Sequence, residues 1–189
     1  MSSQGGLTDA EPSASTDALA RLRALLIEEG GLIASLVDPD GEGASAASPA
    51  SVAARGPRAE GHREEYELLV EAIYEGYLLH YGAPRVVRTP EADLRVLAGD
   101  RLYAIGLARL VDLGDTLAVG ELANTITLSA LAQGAGDARL ADAVWAAGAR
   151  AVGWGASEEH GRAKDLVAAG APEAIEAMRT STFALPSTP

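Results

Sequence analysis

The feature that most constrains the fold is a series of apolar and aromatic residues that recurs at helical spacing. It comprises Tyr66, Leu69, Val70, Ile73, Tyr74, Tyr77, Leu78 and Tyr81. Positions i, i+3, i+4 and i+7 share one face of a helix, so this stripe predicts an amphipathic helix that ends at the Gly82-Ala83-Pro84 stop. No stretch alternates apolar and polar residues for long enough to predict a strand.

Similar patterns predict further helices over 91–113, 116–133, 137–152, 157–169 and 172–180. Asp115 and Asp137 stand where helix N-caps are expected, and glycines stand where helices should end. The predicted fold class is therefore all-α, an antiparallel helix bundle.

The domain organisation follows from composition. Residues 1–15 are rich in Ser, Gly, Ala and Pro and are expected to form a disordered tail. An N-terminal helix is predicted over 16–38, capped at Thr16 or Asp17 and weakened at Gly30-Gly31, followed by a low-complexity linker over 39–61. So long a connection suggests that this helix docks separately. The helical core domain is predicted over 62–180, and a flexible tail over 181–189.

The charge balance excludes some partners. Fifteen basic residues against 27 acidic ones give a net charge of -12. Such a field repels polyphosphates and anionic membrane surfaces, so neither nucleic acid nor a stable membrane association is expected. The N-terminus lacks the basic and apolar regions of a secretory signal, and charged residues interrupt every apolar run before the roughly 18 residues of a membrane span. These features predict a cytoplasmic protein.

Conventional catalytic and metal-binding motifs are missing from the sequence. There is no cysteine, and His62, His80 and His160 are too scattered to predict a metal site. Ser129 and Ser157 have no His and Asp arrangement at a recognisable spacing, and no phosphate-binding glycine loop occurs. No cofactor is predicted, and the histidines are expected to be structural or exposed.

The segment from Val96 to Gln133, VLAGDRLYAIGLARLVDLGDTLAVGELANTITLSALAQ, contains small residues that cost helix propensity. Each helical glycine costs about 1 kcal/mol relative to alanine, and that cost makes sense if a neighbouring helix approaches closely at Gly99 and Gly106. Asp100 would then lie near the wall of a packed interior. A buried carboxylate needs a partner, for which Arg95, Arg101 and Arg109 are the near candidates.

This segment resembles the paired helices of trans-isoprenyl diphosphate synthases, the polyprenyl synthetase family, and the preceding YELLVEAIYEGYLLHYGAPRVVR resembles the helix before them. The likeness covers about residues 64–135 and rests on Leu97-Ala98-Gly99-Asp100, Gly114-Asp115 and Gln133, with His80 at the place of the family's histidine. It implies a partial isoprenyl-synthase-like (terpenoid synthase) core.

The departures from the family concern its catalytic centre. Family enzymes hold an allylic diphosphate through magnesium ions on DDxxD motifs, and here Tyr81-Gly82 replace the first aspartate pair and no DDxxD occurs. The resemblance therefore implies a non-catalytic relative, a partner or regulatory subunit of a catalytic prenyl synthase that is not active alone. Any activity would be of the prenyltransferase type.

The resemblance also implies ligand-binding residues. Arg85 and Arg88 would grip a diphosphate, because guanidinium groups suit phosphate oxygens. Asp100 would be a remnant of the prenyl pocket wall, unless it is a structural carboxylate, and His80 and Gln133 occupy positions that match the family's pattern.

Three further interpretations stay open. The chain is alternatively a small helical binding module whose tyrosines, Tyr77 among them, line a cavity for an apolar, prenyl-type ligand, although a tyrosine stripe more often packs in a core. The second alternative is an unrelated helical interaction protein or a homodimer. The third is an enzyme that assembles its carboxylates from Glu and Asp on different helices, for which no residue spacing gives support. Glu64, Glu67, Glu71 and Glu75 are expected to form a solvated acidic face.

Overall fold

A computed structural model describes residues 14–39, 48–184 and 186, and for 14–17 it describes the backbone alone. The described part forms nine α-helices and no strand. The all-α prediction is confirmed. The helices are α1 (Ala14–Glu29), α2 (Gly31–Ser35), α3 (Pro49–Ala54), α4 (Arg63–Tyr81), α5 (Ala92–Asp112), α6 (Thr116–Gly134), α7 (Ala138–Trp154), α8 (Glu158–Ala168) and α9 (Ala174–Ser181).

The helices from α4 onward begin and end close to the predicted positions. Asp115 caps α6 by accepting a hydrogen bond from the Ala118 backbone N–H at 3.0 Å. Asp137 caps α7 in the same way, because its side chain accepts a hydrogen bond from the Leu140 backbone N–H at 2.9 Å. These side chains satisfy donors that the first helical turn leaves free.

The tight helix crossing predicted at the glycines lies between α4 and α5. A Cβ atom on Gly99 would lie 2.5 Å from His80 Nε2, and one on Gly106 would lie 2.4 Å from Ile73 Cγ1. On α4, a Cβ on Gly76 would lie 2.9 Å from the Gly99 carbonyl oxygen. The small residues therefore let the two backbones approach more closely than any side chain would permit.

Three apolar clusters hold the helices together. The first joins α3, α4, α6 and α7 around Trp145 and Ile73, and the second joins α1, α2, α4 and α5 around Leu22 and Leu102. The third joins the C-terminal half of α6 and the first half of α7 to α8 and α9 around Met178. Because α4 contributes to the first two clusters and α6 and α7 to the first and third, the clusters are continuous through shared helices.

The N-terminal region departs from the prediction in how it docks. The helix expected over 16–38 is divided into two at Gly30 and Gly31, the glycines at which a weakening is predicted; their φ angles are 71° and 63°, a conformation that glycine adopts readily. This region does not dock separately from the core. Leu19, Leu22 and Leu26 of α1 are fully buried in the cluster that includes α4 and α5.

The segment expected to be a linker is partly helical. Within 48–61 the chain forms α3 and a 3₁₀ turn, Pro57–Ala59, and Ala50, Ala53 and Ala59 are completely buried. Alanines bury little area each, but they allow α3 to approach α7, where a Cβ on Gly153 would lie 2.5 Å from the Ala53 carbonyl oxygen. Residues 1–13, 40–47, 185 and 187–189 lie outside the described residues. They include 13 of the 15 residues of the predicted N-terminal tail and four of the nine residues of the predicted C-terminal tail.

Among the described residues, no helix combines the length and the apolarity that crossing a membrane requires.

Candidate functional site

Two of the predicted site residues meet where α4 ends against α5. The His80 ring stacks on Tyr103 with centroids 5.4 Å apart, and His80 Nε2 lies 3.3 Å from Asp100 Oδ1, an ion pair when the imidazole is protonated. Two further predicted residues, Gln133 of α6 and Tyr77 of α4, contact each other: Gln133 Nε2 donates a hydrogen bond to the Tyr77 hydroxyl at 2.7 Å. Tyr81 links the two pairs, with ring centroids 5.8 Å from His80 and 5.5 Å from Tyr77.

The predicted environment of Asp100 is wrong. Its side chain is 65% exposed and its ion-pair partner is His80, not an arginine. Arg101 and Arg109 instead bind Glu29 of α1, and Arg95 donates to backbone carbonyls. Consecutive helical positions differ by about 100°, so when Gly99 faces α4 its neighbour Asp100 turns towards solvent.

The two predicted diphosphate-binding arginines are separated by their partners. Arg85 lies against α4, where its side chain binds both Glu71 and Glu75. Arg88 Nη2 contacts Asp38 Oδ2 at 2.9 Å, on a side chain that is largely exposed. Each guanidinium is thus already paired with a carboxylate.

The expectation of a solvated acidic face on α4 is wrong for two of its four glutamates. Glu71 and Glu75 are 1% and 0% exposed. Glu75 Oε1 accepts hydrogen bonds from the backbone N–H groups of Arg85 and Val86, both at 2.6 Å, and its Oε2 lies 3.2 Å from Arg85 Nε. This cluster fixes the α4–α5 loop to α4. The cause is the packing of that loop, which the helical periodicity of α4 cannot reveal.

A second buried charge cluster joins α6, α8 and α9. Glu121 Oε1 lies 2.6 Å from His160 Nε2, and Glu121 Oε2 accepts from Lys164 Nζ at 2.7 Å. The other imidazole nitrogen, His160 Nδ1, lies 3.3 Å from Ser181 Oγ. Although burial alone would raise the pKa of Glu121, the hydrogen bonds and charges of His160 and Lys164 lower it.

Ser181, His160 and Glu121 contact one another in the order of a Ser-His-acid catalytic triad, but the resemblance goes no further. Ser181 is buried and its hydroxyl donates to the Met178 carbonyl oxygen at 2.8 Å. A nucleophile needs both a proton acceptor and access to substrate. The contacts instead connect three helices, and they confirm the expectation that His160 is structural.

A cavity of about 680 Å³ opens between α3, α4, α7 and the residues that follow α9. We name it the Trp145 cavity; its lining residues are Pro49, Val52, Tyr74, Asp142, Trp145, Ala146, Arg150, Thr182 and Phe183. Tyr74 and Trp145 pack edge to face with centroids 4.9 Å apart. Two aromatic rings thus form part of the wall, and Phe183, which is 87% exposed, lies at the rim.

Two hydrogen-bond donors of the Trp145 cavity residues have no acceptor among the described residues. They are the indole N–H of Trp145, on a side chain 2% exposed, and Arg150 Nη1. Buried polar groups in proteins are nearly always hydrogen-bonded, and leaving a donor unpaired costs about 1–3 kcal/mol. Any acceptor for these two donors would have to come from outside the described residues.

Arg150 differs electrostatically from the paired arginines. Its guanidinium lies 3.9 Å from the centre of the Trp154 ring, and no acidic side chain of the described part pairs with it. Burial lowers the pKa of this group, which means that its charge is partly desolvated without a counter-ion. A cation in that state attracts an anion more strongly than a fully hydrated one.

Within the part of the chain that the structure describes, no three His, Asp or Glu side chains lie together in a way that would hold a metal ion.

Neither a protein-family model, nor a curated protein, nor a solved structure matches this chain. The likeness to isoprenyl diphosphate synthases therefore stays a prediction from the sequence segments quoted above.

Proposed function

We propose that this protein is a small helical binding module that holds an amphipathic anion in the Trp145 cavity. The observation that carries the proposal is the pair of unpartnered donors, Trp145 Nε1 and Arg150 Nη1, on residues that line one cavity with aromatic walls. Ligand cavities commonly combine apolar walls with a few polar groups that orient the ligand.

The cavity chemistry indicates the class of ligand. Tyr74 and Trp145 offer apolar surface to a flat or extended hydrocarbon body, and Arg150 offers a cation to a carboxylate or similar anionic group. Asp142 lies on the same helix about 12 Å along the axis from Arg150, since each residue advances about 1.5 Å. Its carboxylate and the net charge of -12 oppose a multiply charged head group, so a monoanion fits better than a diphosphate.

This reading supports the binding-module alternative more directly than the synthase-partner hypothesis. The partner hypothesis remains a proposal that rests on the sequence resemblance. Incubation with magnesium, isopentenyl diphosphate and allylic diphosphates tests it in part, because turnover by this protein alone would contradict a non-catalytic role. Co-purification from the native host would show whether a catalytic partner exists.

The binding proposal is tested with 1-anilinonaphthalene-8-sulfonate, an aromatic monoanion whose fluorescence rises in apolar sites. We expect saturable binding of one probe per chain, and at least a tenfold loss of affinity in Ala146→Trp. Ala146 is exposed and lines the cavity, so the larger ring fills the space without displacing a core side chain.

The matched control is Ala168→Trp, a substitution at an exposed alanine of α8 outside the cavity. It should bind the probe as the unmodified protein does. Equal affinity in all three proteins, with circular dichroism showing that each is folded, would contradict the proposal.

A further inference from the structure

One oxygen atom of the Glu71 carboxyl group is buried without a hydrogen-bond partner. Glu71 is 1% exposed, and its Oε2 atom receives no hydrogen bond from any described residue. The other oxygen, Oε1, accepts a hydrogen bond from Arg85 Nη2. A carboxylate oxygen that leaves water and gains no donor is destabilised, whereas a protonated carboxyl group has no charge to solvate. The contacts therefore disfavour the ionised form of Glu71.

Glu75, one helical turn further along α4, has donors at both oxygens. Its Oε1 accepts from the backbone N–H groups of Arg85 and Val86, both at 2.6 Å, and from that of Val87 at 3.3 Å. Its Oε2 accepts from Arg85 Nε at 3.2 Å. Several donors around one acid suit a charged carboxylate. The two neighbouring acids are thus unequal, and a proton that enters the pair goes to Glu71.

The charges of this group balance only when one of the two acids is neutral. Arg85 contacts both Glu71 and Glu75, so two carboxylates against one guanidinium leave a buried negative charge. The Ser48 hydroxyl, which caps α3, is a further hydrogen-bonding neighbour of the Glu71 carboxyl and carries no charge. Burial raises the pKa of Glu71 above its ordinary value of 4.5, and the charge of Glu75 acts in the same direction. A proton on Glu71 makes the group neutral.

The charged groups of the neighbouring helices have partners of their own. On α1, Arg21 binds two other glutamates of α4, and Arg23 donates to backbone carbonyl oxygens. On α5, Arg95 also donates to backbone carbonyl oxygens. The α3 helix contains no charged residue, and on α7 Asp142 adds negative charge near the tyrosines of α4. The loop arginine is thus, among the described residues, the cation that the two buried acids share.

We propose that folded Glu71 binds a proton on Oε2 at pH values at which exposed glutamates are already ionised, and that this proton makes the packing around α4 sensitive to pH. The proton comes from solvent, forms an O–H bond on Oε2 and changes the group of two acids and Arg85 from negative to neutral. When Glu71 ionises, water reaches the second carboxylate only if α3 or the α4–α5 loop moves away from α4. Mildly acidic solution therefore favours the packed state.

The pH dependence of stability tests the proposal. An acid whose pKa folding raises contributes stability that is complete below its unfolded value and is lost as the pH rises through its folded value. Urea unfolding at pH 4.5 and pH 8 compares the unmodified protein with Glu71→Gln, which cannot ionise at this position. The unfolding equilibrium constant of the unmodified protein, divided by that of Glu71→Gln, should rise at least about threefold from pH 4.5 to pH 8.

Two variants serve as controls for this ratio. Glu64→Gln removes an acid of the same helix whose side chain is 84% exposed, and its ratio should change little between the two pH values. Glu121→Gln should change its ratio in the opposite direction, because the pKa of Glu121 is lowered by its partners. A ratio for Glu71→Gln that stays constant or falls as the pH rises would overturn the proposal.

A spectroscopic readout in the unmodified protein does not depend on how any variant folds. The carboxyl carbon of Glu71, assigned by nuclear magnetic resonance through its side-chain protons, reports directly on the protonation of this group. Its chemical shift should titrate at a higher pH than those of the other glutamates as a group. Titration together with them, or at lower pH, would show that Glu71 is ionised like an exposed acid and would overturn the proposal.

Discussion

At the scale of single residues, the two buried glutamates of α4, Glu71 and Glu75, are stabilised by Arg85 from the loop that follows the helix. Glu71 and Glu75 lie one helical turn apart on α4, and both contact Arg85. Both carboxylate oxygens of Glu75 accept hydrogen bonds, whereas Arg85 donates to one oxygen of Glu71. Burial raises the pKa of Glu71, and the Arg85 charge offsets only part of that effect. Ionised Glu71 is therefore less favourable in the folded protein than in the unfolded chain.

Matched glutamine substitutions should separate the two acids. Glu75 accepts hydrogen bonds at both oxygens, so Glu75→Gln places an amide donor against another donor and should lower the free energy of unfolding by about 1–3 kcal/mol. One Glu71 oxygen accepts from Arg85, and glutamine keeps that acceptor. We expect Glu71→Gln to change stability at pH 7 by less than about 1 kcal/mol. Urea denaturation measures both; a larger loss from Glu71→Gln than from Glu75→Gln would contradict this account.

At the scale of helices, buried polar contacts determine how the C-terminal elements attach. Glu121 of α6 holds His160 and Lys164 of α8, and His160 reaches Ser181 at the end of α9. Ser181 directly precedes Thr182 and Phe183, which line the Trp145 cavity. The position of the cavity rim therefore depends on the charge cluster that holds the C-terminal end of α9.

The Glu121 cluster should make stability depend on acidity. The pKa of Glu121 is lower in the folded protein than its ordinary value of 4.5. A depressed acid pKa contributes stability that is present above the unfolded value and is lost as the pH falls through the folded value. Glu121→Gln should therefore be less stable than the unmodified protein at pH 7, and the difference should shrink towards pH 3. Urea midpoints measured across this range test the expectation, and a difference independent of pH would contradict it.

At the scale of the whole molecule, the sequence predicts the elements better than their assembly. Periodicity and capping residues are local, so α4 to α9 and the Asp115 and Asp137 caps were predictable, as was the close crossing at Gly99 and Gly106. The burial of Glu71 and Glu75 depends on a loop that packs across α4, which local patterns do not encode. The Trp145 cavity draws its walls from α3, α4, α7 and the residues after α9, so no single segment indicates it.

The central claim is that Arg150 selects an anion in a cavity whose walls accept an apolar body. The test compares the affinity for 1-anilinonaphthalene-8-sulfonate with that for the neutral N-phenyl-1-naphthylamine in the unmodified protein, in Arg150→Gln and in Arg139→Gln, an exposed arginine on the same helix. A hydrogen bond to a charged group contributes about 1.5–3 kcal/mol. Arg150→Gln should therefore lower the affinity for the anionic probe by about 10- to 100-fold and leave the affinity for the neutral probe unchanged. Equal losses in Arg150→Gln and Arg139→Gln, or no preference for the anion in the unmodified protein, would contradict the claim.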